Sequence, residues 1–266
     1  MALAPTAVIR SAANPQFKRL KKIADSARTR RESGRSLLDG PHLLRAYADA
    51  NLPLALLILR EGSAEHAELA ACVRRFADIP KLSLSAALFD LLSPVHTPMG
   101  ILGEFPIPLM PQEKADSAVL LENIQDPGNL GALLRSAAAA GIAAVYLNPG
   151  CADAWSPKVL RAAMGAHFVI RLHETQNLAE IAAEFDQAIA TTLQATRSIY
   201  DMDLRGRVAF LFGNEGAGLS PALLHAATTQ AHIPMPGNIE SLNVAAAAAI
   251  CLFERVRQLR RGFKPD

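Results

Sequence analysis

Cysteine is scarce: the 266-residue chain has three, Cys72, Cys151 and Cys251, far apart in sequence. No Cys-x-x-Cys pair and no Cys/His spacing occurs, so zinc-ribbon and zinc-finger classes are excluded. An odd, sparse set fits a reducing compartment better than a disulfide-stapled secreted scaffold. Each cysteine reads as a small core or surface side chain. Long apolar runs are also missing. The opening "MALAPTAVIR" has no basic segment ahead of a long apolar one, so no signal peptide is expected. The stretch "NVAAAAAICLF" is too short to span a bilayer and runs into "ERVRQLRR". These absences predict a soluble, cytoplasmic protein without a membrane partner.

Familiar catalytic signatures are absent too. There is no G-x-S-x-G elbow, no H-E-x-x-H helix and no Walker Lys-Ser/Thr pair. The missing G-x-G-x-x-G argues against a nicotinamide-dependent oxidoreductase on an α/β sheet. The histidines are scattered, and none pairs with a cysteine or serine nucleophile. A transferase using a pre-activated donor needs none of these devices.

What is present is a half-hydrophobic chain, able to form a sizeable core, with a net charge of only +2. Its charge is unevenly placed. "PQFKRLKKIADSARTRRE" reads as one helix carrying Lys18, Arg19, Lys21, Lys22, Arg28, Arg30 and Arg31. That run is either a solvated face or a contact to phosphates. The following stretches, "SLLD", "PHLLRAYADA", "LALLILR" and "AEHAELAACVRRFA", alternate strand and helix in a small α/β domain. Pro106, Pro108 and Pro111 interrupt any helix and mark a linker. The division predicted is 1–104, a linker at 105–116, and 117–266.

The second part alternates regularly. "AVLLEN", "AVYLN", "HFVIRL", "AIATTL", "VAFLFG" and "AHIPM" read as strands, interleaved with helices in "GALLRSAAAAG", "SPKVLRAAMG" and "LSPALLHAA". "SLNVAAAAAICLFERVRQLRR" reads as a long last helix. The pattern predicts a parallel sheet flanked by helices. Ligands in such sheets sit beyond the carboxyl ends of strands. Three strands are followed by polar, glycine-rich loops: "IQDPGNLGALLRSA", "NEGAGLS" and "PGNIESLNVAAA". Each alone is an ordinary turn or cap, with Ser241 a candidate cap for the last helix. Together they form the anatomy of an α/β active site. Arg135 stands in an otherwise small and apolar helix. An unpaired guanidinium is costly to bury, so it should face an anion, a carboxylate, solvent or an interface.

"ENIQDPGNLGALLRSAAAAG", "FLFGNEGAGLS" and "IPMPGNIESLNVAAAAAICLFE" resemble, in order, the three motifs of the SpoU/TrmH family of S-adenosylmethionine-dependent RNA 2′-O-ribose methyltransferases. The resemblance spans roughly residues 116–258. "VIRSAANPQFKRLKKI" and "LLDGPHLLRAYADA" resemble, more loosely, the family's N-terminal RNA-binding domain, similar to ribosomal-protein folds. The resemblance implies an α/β fold with a C-terminal trefoil-knot (SPOUT) domain, and a homodimer. It implies S-adenosyl-L-methionine as donor, with Gly213, Asn214, Glu215, Gly216, Gly218, Ile233, Met235 and Leu242 around it. Asn123, Arg135, Glu215, Ser241 and Asn243 match active-site positions, and no metal is required. The expected partner is RNA, with large-subunit ribosomal RNA ahead of transfer RNA. A chain that binds RNA without methylating it is the rival reading.

Overall fold

The computed structural model describes residues 7–63, 67–111, 113–175, 177–237 and 239–260. Residues 64–66, expected in a helix, and the stretch beyond Arg260 lie outside these. The elements run α1 (Pro15–Asp25), α2 (Ala27–Ser33), β1 (Arg35–Asp39), α3 (Pro41–Asp49), β2 (Leu56–Arg60), α4 (Ala67–Arg75), β3 (Lys81–Leu84), α5 (Ala86–Leu92), β4 (Ile101–Pro106), β5 (Ser117–Leu121), α6 (Pro127–Ala139), β6 (Ala144–Leu147), α7 (Pro157–Ala163), β7 (Arg171–Glu174), α8 (Leu178–Ala182), β8 (Gln187–Thr191), β9 (Val208–Phe212), α9 (Pro221–Ala226), β10 (Thr229–Ala231) and α10 (Val244–Arg260). They form two compact units. One holds the residues up to Leu109 together with Trp155–Phe168; the other holds Met110–Ala154 and the residues from Val169 on.

The first unit is a four-stranded sheet in the order β1-β4-β2-β3, antiparallel except for β2 with β3. The expected single basic helix is two. Ser26 ends α1 by donating its N–H to the Lys22 carbonyl, and its hydroxyl caps α2 by accepting from Thr29 N–H. Asn14 and Pro15 start α1 in the same manner. Phe17, Leu20 and Ile23 form its buried face. The segment Trp155–Phe168 packs into this unit. Ser36 Oγ donates to the Trp155 carbonyl, and Tyr47 meets Phe168 edge-on at 5.1 Å. Burial pushes the Tyr47 hydroxyl up to about 12, so it stays protonated and donates to the Pro53 carbonyl.

The second unit carries a six-stranded sheet in the order β10-β8-β9-β5-β6-β7, parallel throughout. Its central strands β5 and β9 are buried at every position, which is why they read as unbroken apolar runs. Two expected strands are shorter than the sequence implied. In "HFVIRL" the strand begins only at Arg171, because His167 and Phe168 lie in a 3₁₀ turn. In "AHIPM" it ends at Ala231, ahead of Pro234 and Pro236, which cannot donate to a ladder. From β5 the chain lays strands outward to β7, then crosses to the other side and inserts β9 next to β5. The carboxyl ends at such a reversal form a crevice.

Candidate active site

The crevice is shaped by the loop after β9. An added Cβ on Gly213 would stand 2.2 Å from the Gly218 carbonyl oxygen and 2.5 Å from Leu219 N. Only glycine lets these two backbone stretches meet. Two hydrogen bonds close the loop: Asn214 N–H to Gly218 O at 3.1 Å, and Gly218 N–H to Asn214 O at 2.8 Å. Gly218 sits at φ +67, the left-handed region that favours glycine. Asn214 wires the loop internally. Its Oδ1 accepts from Gly216 and Ala217 N–H, and its Nδ2 donates to the Asn123 carbonyl at 3.0 Å. Glu122 Oε2 accepts from Ser220 N–H at 2.7 Å, which fixes the far end of the loop.

Around this loop lies a cavity of about 320 Å³, within the range of small-molecule sites. All the residues read as donor-binding line it: Gly213, Asn214, Glu215, Gly216, Gly218, Ile233, Met235 and Leu242, with Ser241 beside them. The sequence reading missed another wall, Thr191 to Gln194 after β8. The signal was available, since the strand-end rule that singled out three loops applies equally to "AIATTL".

Beside the cavity the three loops join through one side-chain cluster. Glu215 Oε1 accepts from Asn129 Nδ2 and, at 3.2 Å, from Asn243 Nδ2. Asn243 Nδ2 also donates to Asn129 Oδ1 at 2.8 Å. The Oδ1 of Asn243 caps α10 by accepting from Ala245 and Ala246 N–H, so the cap is Asn243 and not Ser241, which lies exposed ahead of the helix. The sequence marks Asn129 only as part of a turn. Asn123 is held elsewhere. It adopts φ 57, its backbone N–H donates to Asn148 Oδ1 at 2.9 Å, and its Oδ1 accepts from Asn148 Nδ2 at 2.9 Å. Cys151 buttresses the same bend by accepting from Ile124 N–H and donating to the Leu121 carbonyl; burial pushes its thiol up.

Arg135 is exposed on α6 and makes no hydrogen bond or ion pair with a described residue. It stands six positions after Asn129, which puts it about 9 Å along and about 120° round the helix. The structure therefore does not bring Arg135 into the Asn129–Glu215–Asn243 cluster of its own chain.

A glycine-walled cavity beyond the strand ends, at the reversal point of a parallel α/β sheet, is where such folds bind their ligands. The model of the SpoU rRNA Methylase family matches residues 116–253, and the chain belongs to that family. It is 32% identical over 251 residues to the Bacillus subtilis 23S rRNA (guanosine(2553)-2′-O)-methyltransferase RlmP, covering 92% of this chain and 97% of that protein. A solved RNA 2′-O ribose methyltransferase superposes with a TM-score of 0.81 at 32% identity, over 95% of this chain and 99% of that one. An AdoMet-bound rRNA methyltransferase from Sinorhizobium meliloti superposes with a TM-score of 0.79 at 26% identity, over 97% and 99%.

Proposed function

We propose that the chain transfers a methyl group from S-adenosyl-L-methionine to a ribose 2′-hydroxyl of RNA, with large-subunit ribosomal RNA as substrate class. The observation that carries this is the polar cluster of Glu215, Asn129 and Asn243 beside a cavity walled by backbone and apolar side chains. Full-length similarity to an enzyme named for 23S rRNA favours ribosomal over transfer RNA.

The cavity residues fit the donor. Leu219, Ile233, Leu242 and Val244 give apolar walls, and the backbone of the Gly213 loop supplies polar contacts at close range. The bound donor supplies an electrophilic methyl on a positively charged sulfur, so no acid is needed to activate a leaving group. In transfer, the oxygen–carbon bond forms as the sulfur–carbon bond breaks, and the hydroxyl proton leaves to water. Arg135 is permanently charged and has no lone pair at neutral pH, so it orients the hydroxyl and stabilises the oxygen as its proton departs. Glu215 holds Asn129 and Asn243 in place, and Ser241 positions donor or ribose at the cavity wall. Asn129 takes the part read from the sequence for Asn123.

The reading includes a homodimer. Arg135 faces away from its own cluster, and α10 leaves Phe253 and Leu259 each 47% exposed. A second copy covering that face would supply Arg135 to its partner's cavity. We also read the loop after β9 and the segment before α10 as parts of a trefoil knot, and the first unit as an RNA-binding domain. A cytoplasmic location suits that substrate. Among the described residues no helix is long and apolar enough to cross a membrane.

The test is methyl transfer from radiolabelled donor to large-subunit ribosomal RNA transcribed without modifications. The expected result is label at one site that resists alkaline cleavage. Label confined to transfer RNA, or donor binding with no transfer to any RNA or ribosomal particle, would overturn the substrate or the activity. Asn129→Asp offers a sharper probe of the cluster. It sets a second carboxylate against Glu215, and two carboxylates at hydrogen-bond distance resist being charged together. Activity should fall below that of Asn129→Ala at neutral pH and recover partly as pH is lowered, measured by initial rates.

A further inference from the structure

The basic run at the start of the chain is sorted by the structure into spent and unspent charge. Lys21 pairs with Asp25 at 2.8 Å and Arg28 with Glu32 at 2.6 Å, each across one helical turn. Arg30 is buried and donates to the carbonyls of Ile23 and Ala24. Lys18, Lys22 and Arg31 are exposed and bond to no described residue. Arg19 lies between these cases. Its Nη1 and Nη2 grip both oxygens of Glu104 at 2.5 and 2.7 Å, and Arg35 Nη1 approaches the same carboxylate at 3.3 Å.

Glu104 is only 2% exposed, whereas Arg19 and Arg35 are 46% and 41% exposed. One buried carboxylate thus neutralises one of two guanidinium groups and holds both at the surface, with N–H donors left over. On α1, Lys18, Lys22 and Arg19 fall within an arc of about 100°, and the two lysines stand about 6 Å apart along the axis. The patch carries three net positive charges, those of Lys18, Arg19, Lys22 and Arg35 less that of Glu104. None of the exposed large apolar side chains lies on α1 or α2, so nothing there would enter a lipid surface.

We propose that Lys18, Arg19, Lys22 and Arg35 form a prearranged clamp for successive phosphates of the substrate RNA, with Glu104 fixing the arginine pair. The inference rests on the RNA reading above and assigns the backbone contact to one face. Guanidinium forks suit phosphate oxygens bidentately, and lysines a turn apart suit a repeating anionic chain.

The experiment is fluorescence anisotropy with unmodified, in vitro transcribed large-subunit ribosomal RNA fragments over a series of salt concentrations, using the full chain. Lys18→Gln with Lys22→Gln is compared with a charge-matched control, Lys21→Gln with Arg28→Gln. Each lost phosphate contact should lower the salt slope of log affinity by roughly 0.7–0.9. The patch variant should therefore lose about 1.5 of slope, and adding Arg35→Gln should remove about one contact more, with donor binding unchanged. The control should keep the wild-type slope. Equal slopes for patch variant and wild type would overturn the clamp, and so would an equal loss in the control, which would mean bulk charge alone. Failure of the underlying RNA reading looks different: the wild type itself would methylate no RNA, whether or not it bound donor.

Discussion

Replacing Gly213 by alanine is expected to weaken donor binding by about 10- to 100-fold while the protein stays folded. The new methyl would stand 2.2 Å from the Gly218 carbonyl oxygen and 2.5 Å from Leu219 N, so backbone must move and no side chain can yield instead. Forced overpacking of this kind costs about 1–3 kcal/mol. The strain lands on the two hydrogen bonds that close the loop between Asn214 and Gly218. Isothermal titration with S-adenosyl-L-methionine, alongside thermal unfolding, measures both consequences. Unchanged donor affinity would mean that the Gly213 loop does not form the donor wall.

The second large effect is expected at Arg135. Arg135→Ala should lower the rate of methyl transfer by about 100- to 1,000-fold, the usual consequence of removing a preorganised donor from a developing oxyanion. Donor affinity should not change, because Arg135 lies outside the cavity lining. Its place on α6, about 120° round from Asn129, makes a stronger test available. In a heterodimer of one Arg135→Ala chain and one Gly213→Ala chain, the first chain offers an intact cavity and the second an intact arginine. If arginine serves the partner's cavity, one of two sites works, and about half the wild-type rate returns. If arginine serves its own cavity, neither site works.

The sequence was most legible where one force dominates. β5 and β9 are buried on both faces, so hydrophobicity alone announces them. β10 was misplaced because an edge strand of Thr229, Gln230 and Ala231 carries little apolar signal, while the apolar Ile233 and Met235 beside it belong to the cavity. Gly213, Asn214, Glu215, Gly216, Gly218, Ile233, Met235 and Leu242 were legible from family resemblance and from loops following strands, but the wall from Thr191 to Gln194 was missed. The roles of Asn123 and Asn129 were harder. Both asparagines stand in one polar loop and start-of-helix sequence, and nothing local separates them. What separates them is long-range: Asn148 takes the side chain of Asn123, whereas Asn129 meets Glu215 and Asn243. Charge had the same limit. The composition of α1 and α2 was plain, but only the fold says which cations are already paired.

The membership of Trp155–Phe168 in the first unit bears on how members of this family can be recombined. A chimera joined only near residues 105–116 would give its new first unit a foreign Trp155–Phe168 segment. That unit would then present the wrong partner to Ser36, Tyr47 and Phe105, which here meet the Trp155 carbonyl, Phe168 and the Trp155 ring. A graft that exchanges both pieces keeps those contacts native. The unit of inheritance on this side of the molecule is therefore discontinuous, and exchanges of the first unit between relatives need two junctions more than the linker alone provides.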